Sequence, residues 1–122
     1  MEKQTTSIKM IKIYHNPRCS KSRQGLSFLN DLNEDVTIIN YMEQPFTFEE
    51  LSKVIKFLGI KPIELVRTKE NIWKEQFKNQ ELTDQEITQA MVDHPKLIER
   101  PIVVKGDKAI VARPTEKIYE LI

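Results

Sequence analysis

The residue with the clearest chemical potential is the single cysteine, Cys19, in the run Ile-Tyr-His-Asn-Pro-Arg-Cys-Ser-Lys-Ser-Arg. This run predicts that a strand gives way to a helix at the cysteine. A thiol at a helix N-terminus lies near unpaired N–H groups and the positive end of the helix dipole, which favour the thiolate. Arg18, Lys21 and Arg23 add positive charge, and residues 14–30 contain no acid. We therefore expect Cys19 to be an accessible nucleophile with a lowered pKa.

A lone cysteine restricts the redox chemistry that the chain can carry out. One cysteine excludes an internal disulfide, a Cys-x-x-Cys couple and a zinc site built from several thiolates. Ser22 stands where the second cysteine of such a couple would lie, and Gly25 stands where a tyrosine-phosphatase-type loop needs an arginine. Cys19 therefore predicts a one-thiol redox centre that takes its second electron-carrying thiol from another molecule.

Composition and length set the broad class of protein. The 122 residues fit one domain, and nineteen basic and eighteen acidic side chains leave a net charge of +1. That balance gives no overall field that favours nucleic acid or an anionic membrane. No apolar run reaches the roughly 18 residues of a membrane span. We expect a flexible N-terminal extension over residues 1–9, a single domain over residues 10–122, and a reducing cytoplasmic location.

The first half of the chain predicts a βαβα order. Residues 10–14 form a strand candidate, residues 20–32 a helix with one leucine stripe, and residues 36–41 a second strand rich in β-branched side chains. Thr47 and Glu50 predict a capping box that opens the next helix, which Gly59 ends.

The second half predicts a helical segment followed by a hairpin and a last helix. Short helices are expected over residues 62–66 and 71–77, and a capping box at residues 83–86 opens a longer helix. Gly106-Asp107 predicts a hairpin between strands over residues 102–105 and 108–112, and Pro114 is expected at the first position of a closing helix. The whole order predicts an α/β, thioredoxin-like three-layer fold, with a four-stranded mixed sheet and an inserted helical segment.

Three arginines complete the candidate chemistry: Arg67, Arg100 and Arg113. Arg100 and Arg113 flank the predicted hairpin, so they should emerge at the same end of the sheet. Each planar guanidinium can donate paired hydrogen bonds to two oxygens of a tetrahedral anion. We expect the three arginines to converge beside Cys19 as an oxyanion site.

Three motifs together resemble one known family. Residues 15–23 (His-Asn-Pro-Arg-Cys-Ser-Lys-Ser-Arg), 100–104 (Arg-Pro-Ile-Val-Val) and 112–114 (Ala-Arg-Pro) closely resemble the glutaredoxin-linked arsenate reductases of the ArsC family. The similarity runs from about residue 12 to the C-terminus. It implies that Cys19 is the nucleophile and that His15 and Ser22 support its thiolate. It also implies that the oxyanion is bound by Arg67, Arg100 and Arg113.

The resemblance implies a complete reaction cycle. The Cys19 thiolate attacks arsenate, glutathione then attacks the adduct to give arsenite and a mixed disulfide, and glutaredoxin resolves that disulfide. No metal or bound organic cofactor is expected, because His15 and His94 have no evident ligand set around them. The partners implied are arsenate, glutathione and glutaredoxin, with no nucleic acid and no membrane, and we expect a monomer. A thioredoxin-like domain also places a cis proline opposite its active thiol, which predicts a cis Arg100–Pro101 bond.

Two other functions share the same cysteine. A general glutathione-dependent thiol oxidoreductase would use Cys19 without needing all three arginines. A redox-sensing regulator that binds RNA polymerase, like the Spx-type members of the same superfamily, would use Cys19 as a sensor and present a docking surface of its own. The sequence has no basic stripe or aromatic patch that suggests such a surface.

Overall fold

The computed structural model describes residues 10–32 and 34–122. The extension predicted over residues 1–9 lies outside the described residues. The chain divides into two compact units. The first contains the chain up to Gln44 together with Arg100–Ile122, and the second is Pro45–Glu99. The single domain over residues 10–122 stays a prediction, and each unit is described by itself.

The first unit is built on a four-stranded mixed sheet in the order β2-β1-β3-β4. Strand β1 is parallel to β2 and antiparallel to β3, and β3 and β4 form an antiparallel hairpin. Gly106, at the turn between β3 and β4, has a positive φ of 64° that suits glycine. This arrangement confirms the predicted thioredoxin-like α/β fold. The strands are β1 (Ile11–His15), β2 (Val36–Asn40), β3 (Ile102–Lys105) and β4 (Lys108–Val111).

The strand register decides which residues share an edge of this sheet. Tyr14 near the end of β1 pairs with Ile102 at the start of β3, and Ile102 pairs with Val111 at the end of β4. The chain that leaves β1, the chain that enters β3 and the chain that leaves β4 therefore meet at one edge. That edge carries the cysteine loop and the predicted Arg100 and Arg113.

A helix and a short 3₁₀ helix cover the apolar face of the sheet. Helix α1 (Ser20–Asp31) and the 3₁₀ helix Thr115–Glu120 contribute to one core with β1 and β3. Gly25 faces Pro101, and a Cβ at Gly25 would lie 2.9 Å from the Pro101 Cγ. The absence of a side chain at Gly25 therefore allows α1 to lie close to the start of β3. The buried core residues are Ile11, Ile13, Leu29, Val103, Ala112 and Ile118.

The second unit is helical, as the sequence predicts for the inserted segment. Capping boxes at Thr47 and Thr83 open its two longer helices, and Gly59 ends the first of them at a left-handed φ of 68°. Its helices are α2 (Phe48–Leu58), α3 (Pro62–Leu65), α4 (Asn71–Gln76) and α5 (Asp84–Asp93), followed by a 3₁₀ helix, Pro95–Leu97. No helix within residues 10–32 and 34–122 is long and apolar enough to cross a membrane.

The structure corrects the predicted closing helix. Pro114 is the N-cap residue and not the first helical residue, and the segment after it is 3₁₀ rather than α. The Lys117 N–H donates to the Pro114 carbonyl and the Leu121 N–H to the Ile118 carbonyl, which are bonds of the tighter three-residue turn. The Arg100–Pro101 bond is cis, as predicted, and Arg113–Pro114 is a second cis bond that the sequence analysis did not predict.

Candidate active site

The loop before α1 is held in place by Asn16. The Cys19 N–H donates to the Asn16 carbonyl at 3.0 Å, and the Asn16 Oδ1 accepts from the Arg18 N–H at 3.0 Å. Asn16 is itself only 9% exposed. The sequence analysis missed this residue, although an asparagine before a proline is a common signal for such a side-chain-stabilised turn.

Cys19 lies at the N-cap position of α1, as the sequence predicts. Its side chain is half-buried, and it is a free cysteine. The backbone N–H groups of Lys21 and Ser22, in the first turn of α1, lower the pKa of the Cys19 thiol, although its side chain makes no cap hydrogen bond. These N–H groups have no carbonyl partner within the helix, so negative charge on the sulfur is favoured at this position.

The guanidiniums of two arginines lie close to the Cys19 thiol. The Arg113 Nη2 lies 3.8 Å from the Cys19 sulfur, at the long end of hydrogen bonding to sulfur. The Arg113 Nε donates to the Arg100 carbonyl at 2.7 Å, and the Arg100 guanidinium donates a hydrogen bond to the Cys19 sulfur. The structure thus brings Arg100 and Arg113 to Cys19, and it ties one of them to the backbone of the other.

The pKa of the Cys19 thiol reflects two opposed influences. Partial burial raises this pKa and is the largest single influence. The hydrogen bond and the charge of Arg100, with the backbone N–H groups of Ser22 and Lys21, lower it by more in total. The resulting pKa lies below the ordinary value for a cysteine, which increases the fraction of Cys19 present as thiolate near neutral pH.

His15 and Ser22 form a buried pair behind the cysteine loop. The His15 Nδ1 and the Ser22 Oγ are 2.7 Å apart, and the Ser22 Oγ also accepts from the Asn16 N–H at 2.9 Å. Ser22 is fully buried and His15 is 6% exposed. Burial lowers the pKa of His15, a hydrogen bond with the backbone of Ser22 opposes this, and the charge of Arg23 lowers it further. The lowered pKa of His15 favours its neutral form.

Arg67 belongs to the second unit and has partners there. It follows α3, and its guanidinium forms ion pairs with Glu70 at 3.0 Å and Glu99 at 3.7 Å. About a quarter of its side chain is exposed (26%). Its predicted role in oxyanion binding stays a prediction.

Within residues 10–32 and 34–122, no group of three or more His, Cys, Asp or Glu side chains could hold a metal ion. His94 packs edge-on against Phe77, with 5.8 Å between the ring centroids.

The fold and the site together define the class of protein. The thioredoxin-like sheet lies beside a single thiol at a helix N-terminus. A cis proline precedes β3, and the guanidiniums of Arg100 and Arg113 lie close to the sulfur. These features place the chain in the thioredoxin-like class. The family model described as "ArsC family" matches residues 14–121, and the chain belongs to the ArsC family.

Several proteins resemble this chain over nearly its whole length. The "Arsenate reductase" of Haemophilus influenzae is 39% identical over 90% of this chain and 97% of its own. The uncharacterized protein YfgD of Escherichia coli K12 is 43% identical over 93% of this chain and 98% of its own. The solved structure of an "Arsenate reductase from Vibrio cholerae" superposes with a TM-score of 0.89 at 39% identity. That superposition covers 93% of this chain and 98% of the other.

Proposed function

We propose that this protein reduces arsenate to arsenite, with Cys19 as the nucleophile. The observation that carries the proposal is the Cys19 sulfur at a helix N-terminus with the Arg100 and Arg113 guanidiniums directed at it. Membership of the ArsC family and similarity to proteins named arsenate reductase support arsenate as the substrate. A thiolate and a bound oxyanion repel each other, and the two guanidiniums offset that repulsion.

In the first step the Cys19 thiolate attacks the arsenic atom of arsenate. A sulfur–arsenic bond forms, one arsenic–oxygen bond breaks, and the departing oxygen leaves as water after it takes up protons. Arsenic stays pentavalent in this step. Arg100 and Arg113 would hold the remaining oxygens with paired hydrogen bonds, since their forks match the geometry of a tetrahedral anion.

In the second step a glutathione thiolate attacks the Cys19 sulfur of the adduct. A disulfide forms between Cys19 and glutathione, and the sulfur–arsenic bond breaks with its electron pair left on arsenic. Arsenic is thereby reduced from the pentavalent to the trivalent state, and the two sulfurs are oxidised. A glutaredoxin thiol then attacks the glutathione sulfur and frees Cys19.

An external thiol donor follows from the cysteine count. Cys19 is the only cysteine in the sequence, so the two electrons cannot both come from this chain. A compartment that keeps thiols reduced suits this chemistry, and we place the protein in the cytoplasm, where we expect it to act as a monomer.

We further propose that His15 and Ser22 act as positioning residues and that Arg67 is a third oxyanion-binding residue. The Ser22 Oγ joins His15 to the Asn16 N–H, and Asn16 in turn fixes the loop that holds Cys19. The role of Arg67 rests on the family resemblance alone. Exchange of Arg67 for lysine should raise the KM for arsenate, because a lysine offers no planar fork.

An omission series tests the proposed activity. Purified protein is mixed with arsenate, glutathione and glutaredoxin, each component is left out in turn, and arsenite is measured. We expect sustained arsenite formation only in the complete mixture, and none with Cys19→Ser. Lys108→Gln is a matched control, because Lys108 lies at the other end of the sheet. Arsenite formation that persists in Cys19→Ser contradicts the proposal. Glutathione-dependent reduction of disulfides without any arsenite would favour the general thiol oxidoreductase.

A further inference from the structure

Two cations beside Cys19 have no role in the mechanism above. Arg18 immediately precedes Cys19, and Lys21 is the second residue of α1; both side chains are exposed. Across residues 10–32 and 34–122, neither side chain forms an ion pair or a side-chain hydrogen bond. By contrast, the Arg23 Nη1 donates to the Pro17 carbonyl at 2.9 Å, and Arg113 is tied to the Arg100 carbonyl.

Arg18 and Lys21 lie on either side of Cys19 along the chain. Consecutive Cα atoms are about 3.8 Å apart, so Arg18 and Lys21 both begin within two residues of the sulfur. The Lys21 backbone N–H lowers the pKa of the Cys19 thiol, while the Lys21 side chain is exposed. The charges of Arg100 and Arg113 are directed at the sulfur itself. Arg18 and Lys21 thus place positive charge at exposed positions next to Cys19 along the chain.

The second reactant has an electrostatic difficulty that these cations would reduce. In the proposed cycle an incoming thiolate attacks a Cys19 adduct that still carries negative oxygens. Like charges repel, and the repulsion grows if the donor also carries carboxylates. Cations close to Cys19 would attract those carboxylates, and the resulting contacts would orient the donor.

We propose that Arg18 and Lys21 form a docking site for the carboxylates of the small thiol that reacts at Cys19. The chain would therefore prefer an anionic thiol or disulfide of the glutathione type over a neutral one of equal reactivity. This inference rests on the proposed function for its biological meaning. Its test needs no arsenate, so it can fail or succeed separately from arsenate reduction.

The test follows a single exchange step at Cys19. The Cys19 thiolate attacks one sulfur of glutathione disulfide, a Cys19–glutathione disulfide forms, the original disulfide bond breaks, and one glutathione thiolate leaves. The same step is run with bis(2-hydroxyethyl) disulfide, which is neutral. Rates are followed by the intact mass of the protein. The ratio of the two rates measures docking, because a changed pKa of Cys19 alters the thiolate fraction equally for both disulfides.

We expect the preference for glutathione disulfide to fall about twofold with Arg18→Gln, about twofold with Lys21→Gln, and roughly fourfold in the double variant at low salt. The preference of the unaltered chain should fall in the same direction as ionic strength rises. Arg18→Lys and Lys21→Arg should keep it, because charge is retained. Lys108→Gln, an exposed lysine at the far end of β4, should have no effect.

An unchanged rate ratio in the double variant overturns the proposal. So does a ratio that falls equally in Lys108→Gln, which would mean that only the net charge matters. A third arm measures the release of glutathione from the mixed disulfide by glutaredoxin. If the double variant slows only that arm, the two cations serve a protein partner and the small-thiol proposal is wrong.

Discussion

The pKa of the Cys19 thiol depends on a balance between burial, which raises it, and hydrogen-bond donors, which lower it. Burial alone would leave a thiol with a raised pKa, and the Arg100 guanidinium and two backbone N–H groups reverse that effect. The lowered pKa therefore depends both on the position at the start of α1 and on the arginine that enters β3. The same helix N-terminus without Arg100 would hold a less acidic thiol.

The first prediction concerns the ionisation of this thiol. The rate of Cys19 alkylation should rise with pH to a midpoint below about 8.5, the ordinary cysteine value. Arg100→Ala should move the midpoint upward, because a hydrogen-bond donor and a positive charge are lost while burial remains. Alkylation by a neutral reagent, followed by mass, gives both midpoints. A midpoint at or above 8.5 in the unaltered chain contradicts the account.

The second prediction concerns the two bonds of Arg113. Arg113→Lys keeps the positive charge but loses the fork that reaches both the Arg100 carbonyl and the Cys19 sulfur. A charge-assisted hydrogen bond contributes about 1.5–3 kcal/mol, so kcat/KM for arsenate should fall about 10- to 100-fold. Steady-state kinetics with saturating glutathione and glutaredoxin measure this. Activity close to that of the unaltered chain would show that charge alone is sufficient.

For the helices, the sequence predicted best the features that depend on neighbouring residues, such as helix starts and ends. Thr47 and Thr83 open helices through capping boxes, and Gly59 ends one in the left-handed conformation, all as predicted. The bond from Arg113 to the Arg100 carbonyl joins residues 13 positions apart, and the contact with Cys19 spans 94 positions. No local pattern encodes such contacts, which is why the anchoring of Arg113 was not foreseen.

A third prediction tests a helix cap in the second unit. Thr47→Ala removes the hydroxyl that accepts the Glu50 N–H, and should lower the free energy of unfolding by about 1 kcal/mol. Trp73 is the only tryptophan and is buried in this unit, so its fluorescence reports the transition in denaturant. Thr68→Ala, at an exposed position outside any helix, is the matched control. Equal stability of the two variants would mean that the cap contributes nothing.

At the scale of the whole molecule, the described chain divides into two compact units. The first holds Cys19, Arg100 and Arg113 on one sheet edge, and the second holds Arg67 with its glutamate partners. The order and register of the strands place the first set together. The hydrophobic pattern and the hairpin signal predicted the order of elements along the chain. The 3₁₀ geometry of residues 115–120 and the second cis proline depend on packing that the sequence pattern does not reveal.

A fourth prediction links the buried histidine to global stability. The pKa of His15 is lowered in the folded state, mainly by burial, so the unfolded chain binds its proton more readily. The stability associated with neutral His15 is complete above its unfolded pKa of about 6.5, and is lost as pH falls through the folded value. Denaturant unfolding followed by circular dichroism between about pH 5.5 and pH 7.5 should show this decline. His15→Gln should flatten it, and an equal slope in both proteins would contradict the account.

The proposed function requires that the Cys19 thiolate attacks arsenate and then receives glutathione. Intact-mass analysis after a single turnover, with arsenate and glutathione but without glutaredoxin, tests this sequence of steps. We expect one glutathione per chain, attached at Cys19, together with one arsenite, and no glutathione when arsenate is omitted or when Cys19 is serine. Glutathione attached at the same rate without arsenate, or no attachment at all, would contradict the claim.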